Sequence, residues 1–152
     1  MVVMSEYRER LWPSPWIIAI AALAIPASLL TFAAIDLVVG ALTGIVLFSG
    51  VIALATISAP TIDVSGGMLR AGKARVPLAF VGETELARGV EARHARGPGL
   101  DARAYLVIRG DIDPVVRIEI VDPQDPTPYW LVSTRRPEAL RAALDAARAH
   151  SA

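Results

Sequence analysis

Residues 16–57 read WIIAIAALAIPASLLTFAAIDLVVGALTGIVLFSGVIALATI, with Asp36 the one ionisable side chain among them. A bilayer core about 30 Å thick is crossed by roughly 20 apolar helical residues rising about 1.5 Å each. The stretch is about twice too long for one span, and its single charge sits near the middle. It predicts two transmembrane helices, about 16–34 and 38–57, joined by a tight turn at Asp36, because backbone polar groups inside lipid must be satisfied internally. Pro26 removes one backbone donor from the first helix and predicts a modest kink. Asp36 is expected to be a solvated turn residue rather than an intramembrane ion ligand. A cleavable secretory signal is the competing reading of the first span. Its apolar run exceeds the usual core of about 7 to 15 residues, and a second apolar segment follows at once.

The flanks orient the hairpin. Arg8 and Arg10 precede it and Arg70, Lys73 and Arg75 follow it, whereas the tip carries only an acid. The positive-inside rule then puts both termini in the cytoplasm of a multi-pass protein of the inner (plasma) membrane. On this reading residues 1–15 are a cytoplasmic interface collar. In YRERLWPSPW, residues 7–16, the arginines stay with the headgroups, Trp12 and Trp16 sit at the interface, and Pro13 and Pro15 start the helix. Within the second span, Gly40 and Gly44 form a small-xxx-small pattern that lets backbones approach closely. Either it packs the second helix on the first within one chain, or it joins two copies in a homodimer.

The remaining composition narrows the chemistry. Fifteen basic residues balance fifteen acidic ones, so nothing draws the chain to nucleic acid, and with no cysteine there is no disulfide, thiolate zinc site or thiol nucleophile. From Thr61 the period changes. Short apolar runs alternate with turn residues: TIDV then SGG, MLRA then GK, then ARVPLAF, as in a β meander. Val76, Leu78 and Phe80 are expected on one strand face. ARGVEARHARGPGL reads as a short helix or ordered excursion. Strand signals return in RAYLVIRG, PVVRIEIV and PYWLVST, and PEALRAALDAARAH reads as an amphipathic helix with Leu140 and Leu144 on one face. Residues 61–152 are thus expected to form an α+β domain, a small open barrel capped by a C-terminal helix.

Catalytic parts are scarce. His94 and His150 have no second histidine or spaced carboxylate beside them, Asp122 and Asp125 alternate with prolines as turn residues do, and Ser133 has no neighbouring base. No metal or cofactor is expected. Arg135 and Arg136, at a strand-to-helix junction, are either an anion-binding or partner-binding corner or a solvated one.

YRERLW before a two-span hairpin, LRAGKARVPL with FVGE, and DPTPYWLVSTRRPEAL before the last helix together resemble the actinobacterial membrane proteins grouped as domain of unknown function 3093. The resemblance runs from Tyr7 to Leu144. It implies a pleckstrin-homology-like β-barrel attached to a membrane hairpin and carries over no catalytic residue; Trp130, Arg135, Arg136 and Pro137 mark its characteristic corner. The expectation that follows is a non-enzymatic, membrane-anchored module binding a protein partner at the cytoplasmic face. The first rival is recognition of anionic lipid headgroups by Arg70, Lys73, Arg75, Arg135 and Arg136, which a contiguous basic face would favour and scattered arginines would not. The second is an enzyme acting on a lipid or envelope precursor, which would need a pocket of convergent polar groups.

Overall fold

The computed structural model describes residues 6–151, which divide into two compact units, one made of the chain up to residue 11 and from residue 60 onward, the other of residues 12–59. In the second unit, α1 (Pro15–Ala22) and α2 (Ala24–Phe32) form one apolar arm and α3 (Leu37–Ile57) the other. Ser14 caps α1, its hydroxyl accepting from the Trp16 amide at 3.2 Å. The arm breaks at Leu23, three residues before Pro26, because proline has no N–H for the carbonyl one turn back. Asp36 caps α3, accepting from the amides of Val38 at 2.7 Å and Val39 at 3.4 Å. Gly40 and Gly44 are buried on α2: a Cβ on Gly44 would lie 2.8 Å from the Ile25 Cα, and one on Gly40 3.1 Å from the Ser28 carbonyl. The small-residue face is therefore taken up within the chain. Large apolar side chains point the other way, with Leu30 80% and Leu54 69% exposed.

The first unit contains two four-stranded sheets. Sheet 1 runs in the order β1 (Tyr7–Arg10), β2 (Thr61–Ser65), β3 (Met68–Ala71), β4 (Ala74–Pro77), all antiparallel. Gly66 and Gly67, at φ of 56° and 75°, make the two-residue turn between β2 and β3, where a side chain would be strained. Sheet 2 has the order β5 (Val81–Ala87), β7 (Val115–Ile120), β8 (Tyr129–Ser133), β6 (Tyr105–Val107), with β6 parallel to β8. Helix α4 (Gly89–Arg96) follows β5, and α5 (Pro137–Ser151) ends the described chain.

One core lies between the sheets, with Val64, Leu69, Val116, Ile118, Trp130 and Val132 from the strands meeting Leu140 and Leu144 of α5. A second, smaller cluster puts Ala92 of α4 on Val115, Tyr129 and Leu131, the other face of sheet 2. The Tyr105 hydroxyl donates to the Ala71 carbonyl at 3.0 Å, and its ring stands 5.1 Å from that of Trp130, tying the two sheets together.

Three expectations are corrected. The sheets do not close into a barrel. After Pro77, which has no N–H to donate, a 3₁₀ turn over Leu78–Phe80 carries the chain to the other sheet, so Val76 and Phe80 do not share a strand. Most consequential, Tyr7–Arg10, expected as part of a collar, form the edge strand of sheet 1, paired with β2 from Tyr7↔Val64 to Arg10↔Thr61. The domain expected over 61–152 thus also contains the strand that precedes the hairpin. The Leu11 amide donates to the Pro60 carbonyl at 2.9 Å, so the apolar helices are inserted where a two-residue β-turn would have sufficed.

Candidate functional site

The register of sheet 1 sorts its charges. Tyr7, Val64, Leu69 and Val76 form an inward row, and the next row, Arg8, Asp63, Arg70 and Arg75, points outward. Arg10, opposite Thr61, extends that outer face, and Lys73 stands in the adjoining exposed turn, whose Gly72 amide donates to the Thr61 carbonyl at 3.0 Å. Arg70, Lys73 and Arg75 are therefore brought together, and Arg8 joins them from a segment some sixty residues earlier. Asp63 is the one acid in the row; its carboxylate accepts from the Ser65 hydroxyl at 2.9 Å. Among the described residues, no carboxylate lies within ion-pair distance of Arg8, Arg70, Lys73 or Arg75.

Arg135 and Arg136 lie elsewhere, at a polar corner beside β1. Glu9, only 7% exposed, accepts from the Tyr7 hydroxyl at 2.6 Å, from the Thr134 hydroxyl, and from the Arg135 amide at 3.0 Å. Thr134 Oγ1 in turn accepts from the Arg136 amide at 3.1 Å. The Arg136 guanidinium lies 5.1 Å from the centre of the Tyr7 ring and donates to the Arg8 carbonyl at 2.9 Å. Arg135 reaches to 3.7 Å from Asp111, which also pairs with Arg109 at 3.3 Å. Burial, with the neighbouring Glu9 carboxylate second, pushes the Tyr7 hydroxyl from 10.0 up to about 12. Chemically the corner is a clamp joining the strand before the hairpin to the last strand and helix. Sequence reading missed Tyr7, Glu9 and Thr134; the usable signal was the alternation of Tyr7, Glu9 and Leu11 with Arg8 and Arg10.

The family model described as "Protein of unknown function (DUF3093)" matches residues 6–144. The chain belongs to that family. No curated protein and no solved structure matches it. The DUF3093 match begins one residue before β1 and ends inside α5, so both halves of the Glu9 clamp and the whole basic row lie within it.

The other candidates in this DUF3093 chain have local roles. Asp122 and Asp125 accept from the amides two residues on, Gln124 and Thr127, each at 2.9 Å, and the bonds from Thr127 hold the Asp125 carboxyl below its ordinary range. The Ser133 hydroxyl is fully buried and accepts from the Arg109 amide at 3.0 Å, the geometry of a brace rather than a nucleophile. His150 sits one turn from the Ala146 carbonyl at 2.7 Å. His94 lines a cleft of about 430 Å³ with Glu85, Glu91, Arg117 and Tyr129. There Arg117 lies 4.2 Å over the Tyr129 ring and 3.4 Å from Glu85, so these polar groups face one another instead of converging on a ligand. Among the described residues, no three His, Cys, Asp or Glu side chains could hold a metal ion. Trp12 and Trp16 are 50% and 70% exposed.

Proposed function

We propose that this DUF3093 chain is a membrane-anchored, non-enzymatic binding module. The helical hairpin spans the inner membrane, and a pleckstrin-homology-like domain sits at the cytoplasmic face. The observation that carries the reading is the hairpin's inverted polarity of size. Glycine, alanine and serine (Gly40, Gly44, Ala21, Ser28) are buried between its arms, while leucine, isoleucine and valine face outward. In water that arrangement would leave most of its apolar area wet, whereas lipid removes the penalty and rewards close packing through small residues. Both arms are long and apolar enough to cross a membrane, with only 11% of each buried. Two stacked sheets closed by a C-terminal helix support the pleckstrin-homology-like reading, and the family resemblance supports the actinobacterial setting. Polar clusters that pair internally support binding rather than catalysis.

The test is excision. The full chain should stay with membranes through alkaline carbonate extraction. A variant in which Asn-Gly replaces residues 12–59, joining Leu11 to Pro60 by the turn their pairing invites, should be soluble, β-rich and cooperatively folded. A full chain released by carbonate, or an excised chain that folds only in detergent, contradicts the reading.

A further inference from the structure

Resting on the membrane reading above, the geometry points to the outer face of sheet 1 as a docking surface for anionic lipid headgroups, with Arg8, Arg70, Lys73 and Arg75 as the contacting groups. Charge comes first. In a chain with fifteen basic and fifteen acidic residues, this face gathers Arg8, Arg10, Arg70, Lys73 and Arg75 around Asp63, the one acid within its strands, with exposed Glu6 just before β1. Strands stand about 4.8 Å apart, so the row from Arg8 to Arg75 spans about 15 Å.

One pairing on this face is unfavourable. Arg70 and Arg75 are directly opposite on adjacent strands, where like charges destabilise a sheet; Arg70 has Asp63 opposite it on its other side, whereas Arg75, on the edge strand, faces only Arg70, and among the described residues neither arginine has a carboxylate within ion-pair distance. Departures of this kind concentrate where a sequence answers to function rather than to folding. Phosphate oxygens between the two guanidinium groups would turn the repulsion into charge-assisted hydrogen bonds.

Chain reach permits the contact. Arg10 pairs with Thr61 at the end of sheet 1 where the chain leaves for the hairpin and returns, and Lys73 lies at that same end. Four residues separate Arg10 from Pro15 and three separate Ile57 from Thr61. Fully extended, such links reach at most about 18 Å. Each link is thus shorter than two Debye lengths, about 10 Å each at 0.1 M salt, and imposes no separation that would keep the basic row from an anionic surface.

The experiment uses the full chain in nanodiscs of phosphatidylcholine, alone or mixed with anionic phosphatidylglycerol, together with a headgroup-spin-labelled lipid as quencher. A fluorophore is placed at Met68→Cys, on the outer face of sheet 1, or at Glu91→Cys on α4 as the control. Quenching at position 68 should be at least about twofold stronger in anionic discs and fade with salt, with no such change at position 91. Replacing Arg70, Lys73 and Arg75 by alanine should abolish the difference, since each basic residue contributes roughly a fivefold gain in headgroup contact. Arg75→Ala alone should weaken contact while leaving thermal stability unchanged or higher, because it removes the like-charge pair; a purely structural role would not split the two readouts. Equal quenching in both lipids, or a triple variant that keeps the difference, overturns the assignment. So does a position 68 indifferent to lipid charge but shielded in native membranes, which would mean that a protein covers this face. Failure of the chain to enter the discs at all would instead refute the anchoring on which the inference rests.

Discussion

Replacing Glu9 by leucine probes the clamp between the first strand and the last helix. Glu9 receives three donated bonds: from the Tyr7 hydroxyl, the Thr134 hydroxyl and the Arg135 amide. Leucine removes all three acceptors. One loss is recoverable, because the Tyr7 hydroxyl already lies 3.0 Å from Thr134 Oγ1 and can donate there instead. Two donors remain without partners, at about 1–3 kcal/mol each, so the cost is about 2–6 kcal/mol. That is a large part of the roughly 5–15 kcal/mol that holds an ordinary domain together. Glutamine should do less harm. Its carbonyl can take the Arg135 amide while its NH₂ donates to a hydroxyl oxygen, so one hydroxyl proton loses its acceptor instead of two donors losing theirs, a cost of about 1–3 kcal/mol. Urea unfolding of the detergent-solubilised chain, followed by the fluorescence of buried Trp130 with Trp12 and Trp16 replaced by phenylalanine, measures both. A leucine variant within about 0.5 kcal/mol of wild type, or a glutamine variant as costly as leucine, refutes the reasoning.

Alkaline titration tests the same corner. Unfolded Tyr7 releases its proton near 10.0 and folded Tyr7 near about 12, so the stability from this group is fully present below pH 10 and falls away as pH rises towards 12. Tyr7→Phe should flatten that part of the melting-temperature profile, and an unchanged slope would show that Tyr7 is not responsible. In the hairpin, Gly44→Ala forces a Cβ to within 2.8 Å of the Ile25 Cα and should cost about 1–3 kcal/mol in detergent unfolding. Gly50→Ala meets nothing within 4 Å and should gain up to about 1 kcal/mol, so equal effects would contradict the packing.

Much of the fold was legible because its strands advertise themselves locally. Residues 116–120 alternate buried and exposed side chains, the glycine pair at 66 and 67 can only turn, and Leu140 and Leu144 lie on one face of a helix opened by Pro137. What was hidden is non-local. Tyr7–Arg10 is four residues long, three of them charged, and its partner β2 lies beyond the whole hairpin, so proximity to the apolar run suggested a collar instead. The parallel placement of three-residue β6 beside β8 likewise leaves no local trace. The same gap hid the clamp, since Glu9 and Thr134 are far apart in the chain and each is unremarkable alone. The basic row was half legible: Arg70, Lys73 and Arg75 are neighbours in sequence, but Arg8 joins them only through the pairing of β1.

The most direct test of the account is the side of the membrane on which each unit lies. The chain has no native cysteine, so single cysteines report cleanly. Asp36→Cys, at the exposed hairpin tip, and Ser65→Cys, beside the Gly66 turn of sheet 1, are to be treated with a membrane-impermeant thiol reagent on intact cells and again after lysis. Position 36 should react in intact cells and position 65 only after lysis. Labelling of position 65 from outside, or of both positions only after lysis, would contradict a hairpin that crosses the membrane and holds its domain on the inner face.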